Sequence, residues 1–132
     1  MLTQRLALGA LLGLLALPAP ADEVDILEAQ LHAAGPNQWR VSVTVEHPDT
    51  GWDHYADAWR VLDADGNVLG ERILHHPHVD EQPFTRSLRR LSIPEGARFV
   101  QIEAHCSQDG WSHQRLRIDL EQDRGEGYRI HR

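Results

Sequence analysis

Trp39, Val41, Val43 and Val45 alternate with Arg40, Ser42, Thr44 and Glu46. A hydrophobic period of two is the pattern of a strand with one face buried and the other wet. Elsewhere, short apolar runs are broken by Gly, Pro, Asn and Asp about every ten residues, the rhythm of strands joined by turns. Seven strands are expected: Val24–Ala33, Gln38–Glu46, Tyr55–Leu62, Val68–Leu74, Phe84–Leu91, Arg98–Cys106 and His113–Glu121. With no convincing long helix among them, the chain is predicted to be an all-β, Ig-like antiparallel β-sandwich of about seven strands. Trp59, on the third strand, is the expected core tryptophan.

Two hairpins fix their register through charge and hydrophobicity. Asp65-Gly66 is a favoured two-residue turn, and centring there sets Arg60 opposite Glu71 and Leu62 opposite Leu69. Centring the last hairpin on Asp109 sets Glu103 opposite Arg115, Ile102 opposite Leu116 and Val100 opposite Ile118, so opposite charges meet and like sits on like. The same register puts His105 opposite His113. Asp63-Ala64-Asp65-Gly66-Asn67 is read as a turn; a calcium loop of the EF-hand kind would need Gly at the sixth position and Glu at the twelfth, where this chain has Val68 and Leu74.

The ends of the chain are read differently. Arg5, the apolar run Leu6 to Leu17 and the small-residue segment Ala19-Pro20-Ala21 form a secretory signal over residues 1–21, too short for a membrane span. Cleavage is expected near Ala21, giving an exported, periplasmic or secreted protein with no membrane insertion in its mature form. No cysteine lies near that cut, so a lipid anchor there is not expected. Residues 22–121 form the sandwich, and residues 122–132 a polar tail expected to be loose. The formal net charge of the 132 residues is −7, and all 13 basic residues are arginine. That acidic balance, without a basic run, argues against nucleic acid as a partner.

Nine histidines and one cysteine carry the chemistry. In an up-and-down sandwich the second strand ends at His47 and the third begins at His54. The fourth ends at His75-His76-Pro77-His78, the sixth at His105-Cys106, and the last begins at His113. All of these fall at one end of the sandwich, where a fold of this kind grafts its function. His47, His54, His76, His78, His105, His113 and Cys106 are therefore the candidate metal ligands, imidazole and thiolate being the donors that transition metals and zinc prefer. A histidine-rich rim can also be a solvated surface that titrates near neutrality.

Glu46-His47-Pro48-Asp49-Thr50, followed by His54-Tyr55 and Trp59, resembles the corresponding segment of superoxide reductases, the iron domain of the desulfoferrodoxin family. Cys106-Ser107-Gln108-Asp109-Gly110-Trp111 resembles that family's Cys-x-x-His-Gly element. The middle of the chain, from His54 through His76-Pro77-His78 to Glu81-Gln82-Pro83-Phe84-Thr85-Arg86, also looks like a group of small exported bacterial proteins, a divergent branch of the same fold. The resemblance implies an Ig-like sandwich with a ferrous centre of four equatorial histidines and an axial cysteine. By it, His47 and His54 are equatorial ligands and Cys106 the axial thiolate. Three departures stand out: Asp109 occupies the place of a family ligand histidine, His47 and His54 are seven apart, one more than the family spacing, and the N-terminal Glu-Lys-His is absent from a chain without lysine. His113, His105 or the His76/His78 pair would have to complete the set.

Three functions compete at this level. One is a superoxide-reductase-like enzyme, with Cys106 pushing electron density toward superoxide bound at an open iron position, Arg86 attracting the anion, and a small electron-donor protein as partner. The second is a copper- or zinc-binding carrier module using His47, His54, His105 and His113. The third is an Ig-like interaction domain with no metal and a histidine-rich rim.

Overall fold

The computed structural model describes residues 23–132, with Gly9 and Gly13 ahead of them. The leader expected at residues 1–21 therefore lies outside the described residues, apart from those two glycines. The strands are β1 (Asp25–Ala33), β2 (Gln38–Glu46), β3 (Ala56–Leu62), β4 (Val68–Ile73), β5 (Phe84–Ser92), β6 (Phe99–Cys106), β7 (Gly110–Trp111), β8 (Leu116–Asp119), β9 (Arg124–Gly125) and β10 (Tyr128–His131). They form two sheets. One has the order β5-β2-β1-β10-β9; the other runs β4-β3-β6, with β7 and β8 both pairing with β6. The chain is all-β, an Ig-like sandwich as its periodicity predicts.

The alternation in β2 is realised residue by residue. Val41, Val43 and Val45 are buried, while Ser42 and Thr44 face outward. On that outer face the Ser42 and Ser87 hydroxyls lie 2.7 Å apart, as do those of Thr44 and Thr85, so cross-strand polar pairs stitch β2 to β5. From the other sheet, Trp59, Val61, Val100, Ile102, Ala104 and Ile118 close the core, and Trp59 is wholly buried. Gly70 sits where β4 passes over β5. A Cβ there would lie 2.6 Å from Leu91 Cδ1 and 2.8 Å from Leu88 Cδ2, so the tips of two β5 leucines fill the space a side chain at this position would take.

The first hairpin pairs Arg60 with Glu71, as charge alone indicated, but a register shift after Val61 sets Leu62 opposite Val68 instead of Leu69. Asp63 Oδ1 accepts from the Asp65 and Asn67 N–H groups, which makes Asp63–Asn67 the turn the sequence suggests. The last hairpin keeps the expected register at its far end, Ile102 opposite Leu116 and Val100 opposite Ile118. Near the turn it does not: His105 pairs with Trp111 and Cys106 with Gly110, so His113 is not opposite His105.

The cause of that difference is an insertion between β7 and β8. The buried Ser112 hydroxyl accepts from Ala104 N–H and donates to the Gln114 carbonyl, holding the extra residues off the ladder. The Gln114 side-chain amide then exchanges two hydrogen bonds with the backbone of Ile26 on β1, at 2.9 and 3.0 Å. A side chain thus tethers one sheet to the other, beside the register shift that interrupts β1 between Ile26 and Glu28.

Residues 122–132 correct the expectation of a loose tail. They contain β9 and β10, and β10 joins the first sheet parallel to β1, pairing Ala29 with Tyr128 and Leu31 with Ile130. Tyr128 and Ile130 are buried in the core cluster. The segment is polar on average, yet its Tyr128-Arg129-Ile130 alternation supplies one apolar face, which suffices to order it at the edge left open by β1.

Candidate metal centre

His47 follows β2 directly, His54 lies in the loop before β3, and Cys106 ends β6. One ring nitrogen from each histidine and the Cys106 sulfur lie within 4.8 Å of one another, the one such group of three or more His, Cys, Asp or Glu ligand atoms among the described residues. The two imidazole rings meet edge to face, with centroids 4.9 Å apart.

The loop carrying His54 is held to the turn after Cys106 by its backbone. Ser107 N–H donates to the Tyr55 carbonyl at 3.0 Å, Tyr55 N–H donates to Ser107 Oγ at 3.0 Å, and Gln108 Nε2 donates to the Asp53 carbonyl at 2.8 Å. Within the loop His54 N–H donates to Gly51 and the His54 carbonyl accepts from Thr50, closing a small antiparallel bridge. His54 is thereby fixed beside Cys106 although they are far apart in sequence.

His47 is oriented by a buried carboxylate. Its Nδ1 lies 2.6 Å from Asp49 Oδ1, and both side chains are wholly enclosed. Asp49 Oδ1 also accepts from Ala56 N–H at 2.9 Å, and Oδ2 accepts from His78 N–H at 2.8 Å. Because Asp49 is already receiving two backbone donors, His47 Nδ1 is the donor in their bond, which in the uncharged form of the ring leaves the lone pair on Nε2. That Nε2 is buried and has no hydrogen-bond partner; His54 Nε2 is buried and makes no hydrogen bond either, with Asp109 Oδ2 at 3.5 Å. Two orphaned imidazole nitrogens beside a thiol, one steered by a carboxylate behind it, form the arrangement that a metal-ligating histidine requires. Gln82 adds a brace from a distant part of the chain, its Oε1 accepting from His47 N–H and its Nε2 donating to the His78 carbonyl.

The Cys106 thiol is completely buried and free of any disulfide. Burial pushes its pKa up, and the neighbouring Asp109 charge adds to the rise despite backbone N–H groups that oppose it. Without a cation the sulfur therefore stays protonated at neutral pH and donates to Asp109 Oδ2, 3.6 Å away. A bound cation would displace that proton.

The other candidate residues lie outside the three-residue group. His105 alternates with Cys106 on β6, so it faces away from the core; its Nδ1 bonds Asp57 and its ring packs against Trp111. There it lines a shallow cavity of about 330 Å³ with Asp57, Glu71 and His75. His113 is exposed and bonded to Glu23, thrown clear by the insertion after β7. His76 is exposed. His78 is buried, stacked on Phe84, with Nε2 2.8 Å from an Arg86 guanidinium nitrogen that donates to it. Burial first, then the Arg86 and His76 charges, lower the His78 pKa, which keeps that ring neutral. Arg86 is thus engaged with His78 and with the Thr85 carbonyl, its chain neighbour. Four equatorial histidines around one metal are not assembled among the described residues; two histidines and the cysteine are.

Two participants escaped the sequence reading. Asp49 had a signal, a carboxylate two residues beyond His47 in a tight turn, but that turn reads equally well as mere punctuation. Gln82 had none, because it reaches the site only through the return of the chain into β5. Trp52 is 68% exposed and packs edge-on against Tyr55, while Trp111 lies under the Arg60 guanidinium at 3.7 Å.

The chain is similar to a protein of Halomicrobium mukohataei described as a "Putative lipoprotein", 37% identical over 99 residues. The match takes in 75% of this chain and 48% of the relative, so the chain spans about half the length of the curated protein it matches. No family model and no solved structure matches it.

Proposed function

We propose that this protein is an exported metal-binding β-sandwich protein whose mononuclear centre is held by His47, His54 and Cys106. The observation that carries the reading is the pair of buried, unpartnered imidazole nitrogens beside the buried thiol, with Asp49 holding His47 in the tautomer that leaves Nε2 free. An enclosed nitrogen lone pair without a donor is costly to fold around, and a cation would offset that cost. Export is supported by the leader-like residues 1–21 and by the relative's description as a "Putative lipoprotein".

Within this reading the resemblance to superoxide reductases favours iron, with Cys106 as thiolate ligand, superoxide as substrate and a small redox protein as donor. The donor set favours the second reading, a zinc or copper carrier, because two histidines rather than four meet the cysteine. Metal content of the mature protein, measured by elemental mass spectrometry beside a His54→Ala/Cys106→Ser variant, tests both. About one metal per chain, lost in the variant, is expected for a single-site protein. Iron in that ratio supports the reductase reading and zinc or copper the carrier. No uptake, even after reconstitution with each ion under reducing conditions, overturns the proposal and leaves an interaction domain with a histidine rim.

A further inference from the structure

We infer that Asp109 is the fourth protein ligand of this centre, closing a tetrahedral site of two imidazoles, one thiolate and one carboxylate that suits zinc or cobalt(II). This rests on the metal-binding reading above and goes beyond it by fixing the coordination number and the class of cation.

The argument starts from two distances. Asp109 Oδ2 lies 3.5 Å from His54 Nε2 and 3.6 Å from Cys106 Sγ. Tetrahedral zinc, with bonds of about 2.0–2.1 Å to nitrogen, 2.0–2.2 Å to oxygen and 2.3 Å to sulfur, separates its nitrogen and oxygen ligands by roughly 3.4 Å and its oxygen and sulfur ligands by roughly 3.6 Å. Both Asp109 distances match ligand-to-ligand spacing; the carboxylate stands just outside the 4.8 Å group that His47, His54 and Cys106 form, so closing the site takes a turn of the Asp109 side chain toward His47. The fourth corner has an independent witness: His47 Nε2, on a ring fully enclosed by protein and backed by Asp49, is unpartnered and belongs to the same cluster as His54 and Cys106.

Local structure explains why the carboxylate arrives there. Ser107, Gln108 and Asp109 form the tight turn between β6 and β7, closed by Gly110 at φ 75°, a value that suits glycine. Asp109 returns toward Cys106, and its side chain stays about one-third exposed, open to an incoming cation. A set of four protein ligands leaves no vacant position for a substrate, the property of a zinc site that stores, carries or stabilises rather than reacts.

Cobalt(II) binding to the mature, reduced protein provides the test, with visible absorption reporting geometry and zinc competition against a chelating dye reporting affinity. The wild-type protein is expected to take one cobalt per chain, with thiolate charge-transfer bands and the intense d–d bands of a tetrahedral ion. Asp109→Asn should weaken zinc binding at least about tenfold and alter the d–d envelope, while Asp109→His, which restores a good donor, should keep binding closer to wild type. If Asp109→Asn leaves both affinity and spectrum unchanged, Asp109 only accepts the thiol proton and the inference fails while the three-residue centre stands. Equal losses in the Asn and His variants, with the melting of the metal-free proteins unaltered, would also overturn ligation. Failure of the wild type to bind either ion would remove the metal-binding reading itself.

Discussion

Asp49→Asn isolates the role of the carboxylate behind His47, since the side chain keeps its size and loses only its charge and one acceptor. Asp49 now accepts from His47 Nδ1, Ala56 N–H and His78 N–H, all in a buried setting. The better amide orientation keeps its oxygen toward His47 and Ala56 and turns its NH2 toward the His78 N–H, a donor facing a donor. A buried donor left unpaired costs about 1–3 kcal/mol, and replacing the charged acceptor of the His47 bond by a neutral one costs about 1 kcal/mol more. The opposite orientation strands the Ala56 N–H and drives His47 to the tautomer with its proton on Nε2. Either way the loss is roughly 2–4 kcal/mol, which lowers the melting temperature of a domain this size by roughly 8–16 °C. Zinc affinity should fall about 10–100-fold as well, because a neutral amide oxygen polarises His47 less than the carboxylate does and holds its ring orientation and tautomer less firmly. Calorimetry of the metal-free variant and chelator competition measure the two effects separately. A melting temperature within about 2 °C of wild type would refute the claim that this carboxylate organises the loop, and unchanged zinc affinity would refute its control of His47.

Three further outcomes follow from other parts of the molecule. Gly70→Ala should cost about 1–3 kcal/mol by overpacking, since its Cβ would press on Leu91 and Leu88; a chemical-denaturation midpoint equal to wild type would contradict the close approach of β4 and β5. Ile130→Ala should cost about 2–4 kcal/mol, the loss from a core position and not from a loose tail, and the Ala29 N–H, which donates to the Gly127 carbonyl at the start of that segment, should exchange faster in the variant than in the wild type. The metal-free protein should lose stability as pH rises above about 9. There the unfolded chain releases the Cys106 proton while the folded chain, whose thiol pKa is raised, retains it, so the unfolded state binds fewer protons and the slope is negative. Cys106→Ser should flatten that part of a melting-versus-pH series; an identical slope would reject the assignment.

The strands were legible because burial on one face writes itself into the sequence with a period of two, and β2 shows it without interruption. The Arg60–Glu71 register was legible for a related reason, since opposite charges at the right spacing leave few alternatives. Leu62 and His113 were misplaced because single-residue shifts and insertions carry no local signature. The insertion holding His113 away depends on Ser112 reaching Ala104 and Gln114 reaching Ile26, contacts that exist only once the sheets have met. The tail was misjudged on its mean polarity; the two buried residues of β10 matter more than the charged ones around them.

For the site, the residues themselves named the donors. A histidine after β2, another before β3 and the lone cysteine at the end of β6 had to arrive at one end of any Ig-like sandwich, because strand connectivity fixes which ends coincide. The sequence determined that end and the chemical types present. It could not determine which histidines point inward. His105 and Cys106 are neighbours on one strand and therefore point to opposite faces, so only one of them reaches the core-side cluster. Tertiary structure alone decided that His54 meets Cys106, that Asp49 turns His47, that Gln82 braces both loops and that Asp109 comes within reach of the sulfur. The physical reason is that ligand geometry is set within an ångström by hydrogen bonds between segments distant in sequence, whereas composition and periodicity constrain only which face of a strand a residue occupies.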